Sequence, residues 1–374
     1  MGVATAMPGI ERAALNLYQL YDIGDSIDLE RARPALAAPS TRMRPVATRG
    51  ASIDMPQPPL VVGMGKTTLP LECGQLAARI EARIYDLGIL AICLTIALPE
   101  RISWEAATDL LAEVQARPHC TEEAFASAFQ ALRGAIAPAL DRPSDTIRTE
   151  DYSILLIERL LSGGPPASTL ARHPSLLQTA LGERRTLSAA AASLATTLSY
   201  YEDDLILLTW TAAIVIEPDA AAREDATFLL EFANVQLQLL AFRSYDDQVE
   251  RDLARIAPRI GRARRPRWWA FNATSGFLHE IHALIADTTG TSARVENALK
   301  VTEDVYWNRV YTAALVVLRV EAWRTGIAEA LKVLRESAAL LNDEAEVARS
   351  TFLEVLVIVL IALELVIASV SLHH

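Results

Sequence analysis

The sequence predicts an α+β fold: an N-terminal domain mixing strands and helices, then an all-helical hairpin or coiled coil, then one transmembrane helix. Three observations carry that expectation. Up to about residue 220, short β-branched and aromatic runs alternate with helical spacings. Beyond it the apolar residues keep a helical period. The chain then closes on "TFLEVLVIVLIALELVIASVSLHH", residues 351–374, which is almost wholly apolar. The expected domains are 1–220, 221–350 and 351–374.

In chain order, "LNLYQLY" reads as an extended run, and "DLERARPAL" as a helix capped by Asp28. "PPLVVGM" follows a proline-rich stretch and cannot lie deep in a sheet. "ARIEARIYDLGILAICLTIALP" is rich in β-branched residues and stopped by Pro99, so it reads as a long hairpin turning at Gly88. Ser103 opens the helix "SWEAATDLLAEVQ", and Thr121 takes the N-cap place before "EEAFASAFQALRGAIAPAL". "DYSILLIERL" returns to strand, "GGPPAS" is a loop, and "LSAAAASLATTL" is helical by propensity. "SYYEDDLILLTWTAAIVIEPD" reads as two buried strands ended by Pro218.

After Asp219 the pattern is helical throughout. Val295, Leu299, Thr302, Tyr306, Val310, Ala313 and Val317 share one stripe. Ile327, Leu331, Leu334, Ala338, Leu341, Ala345, Ala348 and Phe352 keep a strict 4-3 spacing, the seam of a coiled coil. A hairpin turn near Trp323 and a bend at residues 288–292, "TTGTS", are expected. From Phe352 to Leu372 the helix would run roughly 31 Å, matching a hydrocarbon core of about 30 Å. Its aliphatic and aromatic residues favour insertion by about 5–9 kcal/mol, against about 3 kcal/mol for embedding Glu364, while Glu354 can snorkel. Arg349 before the span places the bulk of the protein on the cytoplasmic side, and the scarcity of lysine (Lys66, Lys300 and Lys332) suggests a bacterial inner membrane.

Composition narrows the function classes. A net charge of −11 with 51% hydrophobic residues excludes a surface built wholly for nucleic acid and excludes a disordered chain. Cys73, Cys93 and Cys120 have no paired spacing, so neither a disulfide framework nor a CxxC metal site is expected. "VVGMGKTT" lacks the glycine a phosphate loop needs at Leu60, and Pro70 blocks the helix that should follow. "HEIH", with His279, Glu280 and His282, has the wrong spacing for a zincin. No catalytic residue, cofactor site or metal site is expected. The one dense charge feature is Arg255, Arg259, Arg262, Arg264, Arg265 and Arg267, followed by Trp268 and Trp269. It suits anionic headgroups or RNA phosphates with a stacking platform.

With these residues in view, the chain resembles the "required for meiotic nuclear division" family. The likeness lies in "YYEDDLILLTWTAAIVIEP", "LLEFANVQLQLLAFRSYDDQVERDLARI", "RVENALKVTEDVYWNRVYTAAL" and "LEVLVIVLIALELVI", with "YQLYDIGDSIDLERA" and "EARIYDLGIL" nearer the start. The resemblance implies a membrane-anchored α+β domain with a C-terminal helical hairpin, and for mitochondrial members a tether linked to organelle translation. It supplies no catalytic residues. The expected function is a non-enzymatic, membrane-anchored scaffold that forms homo-oligomers through its hairpin and span and holds a protein partner. The alternatives are an ion pathway lined by Glu364 of several copies, or an RNA or ribosome tether through the arginine cluster.

Overall fold

Two long strands, β1 (Ile10–Ile27) and β7 (Leu140–Leu160), run antiparallel side by side in the middle of a nine-stranded sheet. The computed structural model describes residues 8–43, 52–72, 74–116, 119–161, 166–171, 173–243, 278–279, 281–283, 285–286, 289–290, 293–294, 299–302 and 305–371. The chain forms two compact units, Met1–Leu239 with Arg294–Glu321, and Leu240–Ala293 with Ala322–His374.

The other strands of the first unit are β2 (Ser40–Arg42), β3 (Ser52–Asp54), β4 (Leu60–Leu71), β5 (Gly74–Ile84), β6 (Ile89–Ala97), β8 (Thr196–Leu198), β9 (Leu205–Leu208), β10 (Ala212–Ile216) and β11 (Lys300–Thr302). The main sheet is ordered β2-β4-β5-β6-β1-β7-β10-β9-β8, antiparallel except for the β10–β7 pair, and β11 pairs with β3 separately. Helices α1 (Leu29–Ala35), α2 (Trp104–Ala116), α3 (His119–Ile136), α4 (Ala167–Leu170) and α5 (Pro174–Leu181) connect these strands, followed by α6 (Ala220–Arg243) and α7 (Val305–Val317).

Period-2 alternation gives the sheet two different faces. Leu15, Leu17, Ile80, Ile84, Ile92, Leu94, Leu155 and Ile214 point to one, where they join Leu111, Phe125, Phe129 and Leu176 from α2, α3 and α5 in a continuous apolar core. Asn16, Tyr18, Cys93 and Tyr152 point to the other.

Several local expectations hold. Asp28 caps α1, its carboxylate accepting from the Glu30 and Arg31 amides, and Ser103 caps α2 through the Ala106 amide. Residues 74–97 are a hairpin turning at Gly88, and "LILL" and "AAIVI" are paired buried strands.

Others do not. Thr121 lies buried inside α3, which begins at His119. "VVGMGKTT" is strand throughout, with a bulge between Gly63 and Gly65 and Lys66 opposite Arg79. Of "LSAAAASLATTL", Ala189–Leu194 forms 3-10 turns and Thr196–Leu198 is the edge strand β8, because pairing with β9 outweighs the weak helical preference of alanine. The helical stripe after Val295 is interrupted by β11, a strand set by a partner some 250 residues earlier in the chain.

In the second unit the main element is α8 (Val320–Ser371). It follows α7 after a two-residue break at Leu318–Arg319, with Arg319 at a φ of 52°, close to the turn expected at Trp323. Of the heptad residues, Ile327, Leu331, Leu334 and Ala338 are buried, whereas Phe352 is exposed. The bend expected at 288–292 lies mostly outside the described residues.

Among the described residues no helix is long and apolar enough to cross a membrane. This overturns the expected transmembrane anchor and, with it, the single-span membrane placement. α8 carries an apolar run that includes Phe352 to Leu365. Glu354 and Glu364 also fall within that run.

Gly88 has a φ of 80°, its amide donates to the Tyr85 carbonyl, and its own carbonyl accepts from Ile23. A Gly88→Val chain should lose about 1–2 kcal/mol of stability, because a β-branched residue is strained in the left-handed region. Urea unfolding followed by circular dichroism should show the midpoint lowered and the slope unchanged.

Candidate functional site

The second face of the sheet carries a polar row. Pairing aligns Glu81 on β5 with Cys93 on β6, Cys93 with Tyr18 on β1, and Tyr18 with Tyr152 on β7. The neighbouring rows add Arg83 with Ala91 and Leu20, and Thr95 with Asn16. A sheet face holding this many polar groups cannot pack against a purely apolar helix without orphaning them.

Helix α6 is the matching element. Nearly all of its described side chains from Asp225 onward are buried, including Thr227, Glu231, Asn234 and Gln238, which recur at helical spacing and form a polar stripe. Thr227 and Asn234 bond back to the carbonyls of Arg223 and Leu230. Gln238 Nε2 donates to the Arg148 carbonyl at 2.9 Å and reaches the Leu20 carbonyl at 3.4 Å. Glu231 makes the decisive contact. One carboxylate oxygen pairs with Arg83 Nη1, and the other accepts from the Tyr85 hydroxyl at 2.7 Å. Arg83 Nη2 is 3.1 Å from Glu81 Oε1, and the Tyr85 ring packs on Phe232 with centroids 5.8 Å apart.

The environment sets the protonation states. Burial raises the pKa of Tyr18, with Cys93 adding to the effect and Arg83 opposing it. Burial likewise raises Tyr85, again against Arg83. Cys93 is pushed up by burial and only partly brought back by Arg83, Thr95 and Tyr18. Burial alone would lower Arg83, but Tyr18, Tyr85, Glu81 and Cys93 together raise it. At neutral pH the cluster therefore holds a charged guanidinium beside an uncharged thiol and uncharged phenols. The contacts of Glu231 with Arg83 and Tyr85 clamp α6 onto the sheet. This cluster escaped sequence reading because its members are spread from Asn16 to Gln238. The buried polar stripe of α6 was the available signal.

A shallow cleft at the end of the sheet is lined by Asp28, Arg31, Asp86, Asp141 and Arg294. Burial raises the pKa of Asp86, while Arg294 and Arg42 oppose the shift. The folded chain thus holds that proton more tightly than the unfolded chain does. Asp86 favours folding as the pH falls and opposes it as the pH rises through its folded value.

The sequence-derived site residues are separated by the structure. Glu354 and Glu364 are exposed on α8, among Leu353, Val355, Leu356, Val357, Ile358, Val359, Leu360, Ile361, Leu363 and Leu365, all at least 43% exposed. Apolar side chains here point in every direction around the helix. Arg255, Arg259, Arg262, Arg264, Arg265, Arg267, Trp268 and Trp269 lie outside the described residues. His279 and His282 are exposed, and among the described residues no group of three or more His, Cys, Asp or Glu is placed to hold a metal. Cys93 and Cys120 are buried.

Removing one member of the clamp should cost far more than removing both. Glu231→Leu leaves Arg83 buried beside Glu81 alone and should lower stability by about 3–5 kcal/mol. Tyr85→Phe should cost about 1–2 kcal/mol. Urea unfolding of the Arg83→Met/Glu231→Leu chain should recover most of the Glu231→Leu loss.

No curated protein and no solved structure matches the chain. A family model does, over residues 12–222, more than half of the chain and most of the main sheet. The match replaces the resemblance to the "required for meiotic nuclear division" family. Three of the six stretches on which that likeness rested follow residue 222, and nothing else supports it. With β1 through β10 and both faces of the sheet inside the matched region, the chain belongs to the family described as "Uncharacterized protein MJ0711, N-terminal domain".

Proposed function

We propose that the protein is a non-enzymatic scaffold whose copies associate through the C-terminal part of α8. The observation that carries this reading is the exposure, on every side of one helix, of the apolar side chains from Phe352 to Leu365. About a dozen such side chains, each showing roughly half its surface, present on the order of 1,000 Å². A monomer's largest apolar patch is usually about 300–600 Å², while a stable interface takes about 800 Å² from each partner. A groove on a different protein would cover one side of the helix. Like helices packed against one another cover several, and every copy brings the same surface. The heptad spacing from Ile327 to Phe352 leads into this segment and suits a helical assembly.

Sedimentation velocity tests the reading. The full chain should sediment as a discrete multiple of the single-chain mass, and a Leu356→Asp/Leu360→Asp chain as one copy. A wild-type chain that stays single at tens of micromolar would overturn the proposal.

A further inference from the structure

Charges around the apolar segment also specify how two copies meet. With about 100° between successive residues, Arg349, Leu353, Leu356, Leu360 and Glu364 fall within a sector of about 80°. Their spacing of four, three, four and four residues makes one seam, with a cation at its start, an anion at its end and three exposed leucines between. Glu354, by contrast, lies about 120° round the helix from the middle of that seam. Arg349 and Glu364 are both exposed.

Resting on the self-association proposed above, we infer that two copies pair antiparallel along this seam, about a twofold axis between Leu356 and Val357. Arg349 of each copy then faces Glu364 of the other. The same axis sets Leu353 against the other copy's Leu360 and brings the two Leu356 side chains together at the centre. Every seam residue meets one it can pack or pair with, and the two ion pairs lie about 22 Å apart, one at each end. A parallel pair in register would set arginine against arginine at one end and carboxylate against carboxylate at the other. The leucines bury similar surface either way, so the terminal charges decide the direction. The contact is isologous, and the apolar sides outside the seam remain for such pairs to pack on one another.

Disulfide trapping in the full chain, carrying Cys73→Ser, separates this inference from the one beneath it. A disulfide needs Cα atoms within about 7 Å. Leu356→Cys sits beside its own symmetry mate in either direction, so oxidation should give a covalent dimer. Failure to do so would overturn both proposals. Leu353→Cys alone should give no dimer, because antiparallel packing displaces the two copies of residue 353 by about 10 Å along the axis. Differently tagged Leu353→Cys and Leu360→Cys chains, co-expressed, should form a mixed disulfide. Efficient dimers of Leu353→Cys by itself, without the mixed species, would overturn the antiparallel arrangement and leave self-association standing. Arg349→Glu and Glu364→Arg should each weaken association by about tenfold, and the double exchange should restore it. No recovery in the double exchange would likewise count against the pairing of these two residues.

Discussion

A guanidinium cannot be buried unless its charge is answered, and the fold of the first unit turns on how Arg83 is answered. Its partner Glu231 comes from α6, well beyond the strands that carry Arg83, Cys93 and Tyr18 in the chain. The pair therefore fixes which helix covers the second face of the sheet and in what rotation about its axis. Tyr85 and Gln238 reinforce the same register from either side, one by a hydrogen bond to the carboxylate and one by bonds to the backbone of β1 and β7. Apolar packing on the first face is non-directional and would tolerate small slides. A charge-assisted, geometrically specific contact tolerates few.

The second unit follows a different logic. Within the single helix α8, Ile327, Leu331, Leu334 and Ala338 are buried, and a few turns later every side chain from Phe352 to Leu365 is exposed. One amphipathic stretch serves the interior of its own chain. The next has no polar face to offer water, and it carries only two carboxylates. Such a surface is a standing free-energy cost unless something covers it, and the charges at the ends of the Arg349–Glu364 seam suit a second copy of itself.

Much of this was legible locally. Asp28 and Ser103 mark helix starts because a short side chain reaches free amides only there, and the Gly88 hairpin was visible because β-branched runs and a turn residue coincide within about twenty residues. Thr121 misled because the helix starts before it and the residue is buried inside. The alanine run at residues 189–194 misled because propensity is a small term beside strand pairing. The length of the terminal apolar run suggested a bilayer, but the described helix is not long and apolar enough to cross one. The polar cluster under α6 left almost no trace in the sequence. Glu231, Asn234 and Gln238 read as the solvated side of an amphipathic helix until the face opposite them is known to be polar as well.

By itself the sequence determined the α+β class, the hairpins, the helix caps and the apolar character of the C-terminus, all of which depend on neighbours within a turn or a hairpin. Only the tertiary structure decided that β11 pairs with β3, that β7 extends through a polar stretch to meet all of β1, and that Arg83 and Glu231 meet. Those outcomes depend on contacts between residues some 110 to 250 positions apart. Their partners are chosen by which surfaces remain to be covered once the local elements exist, and periodicity along the chain carries no information about that.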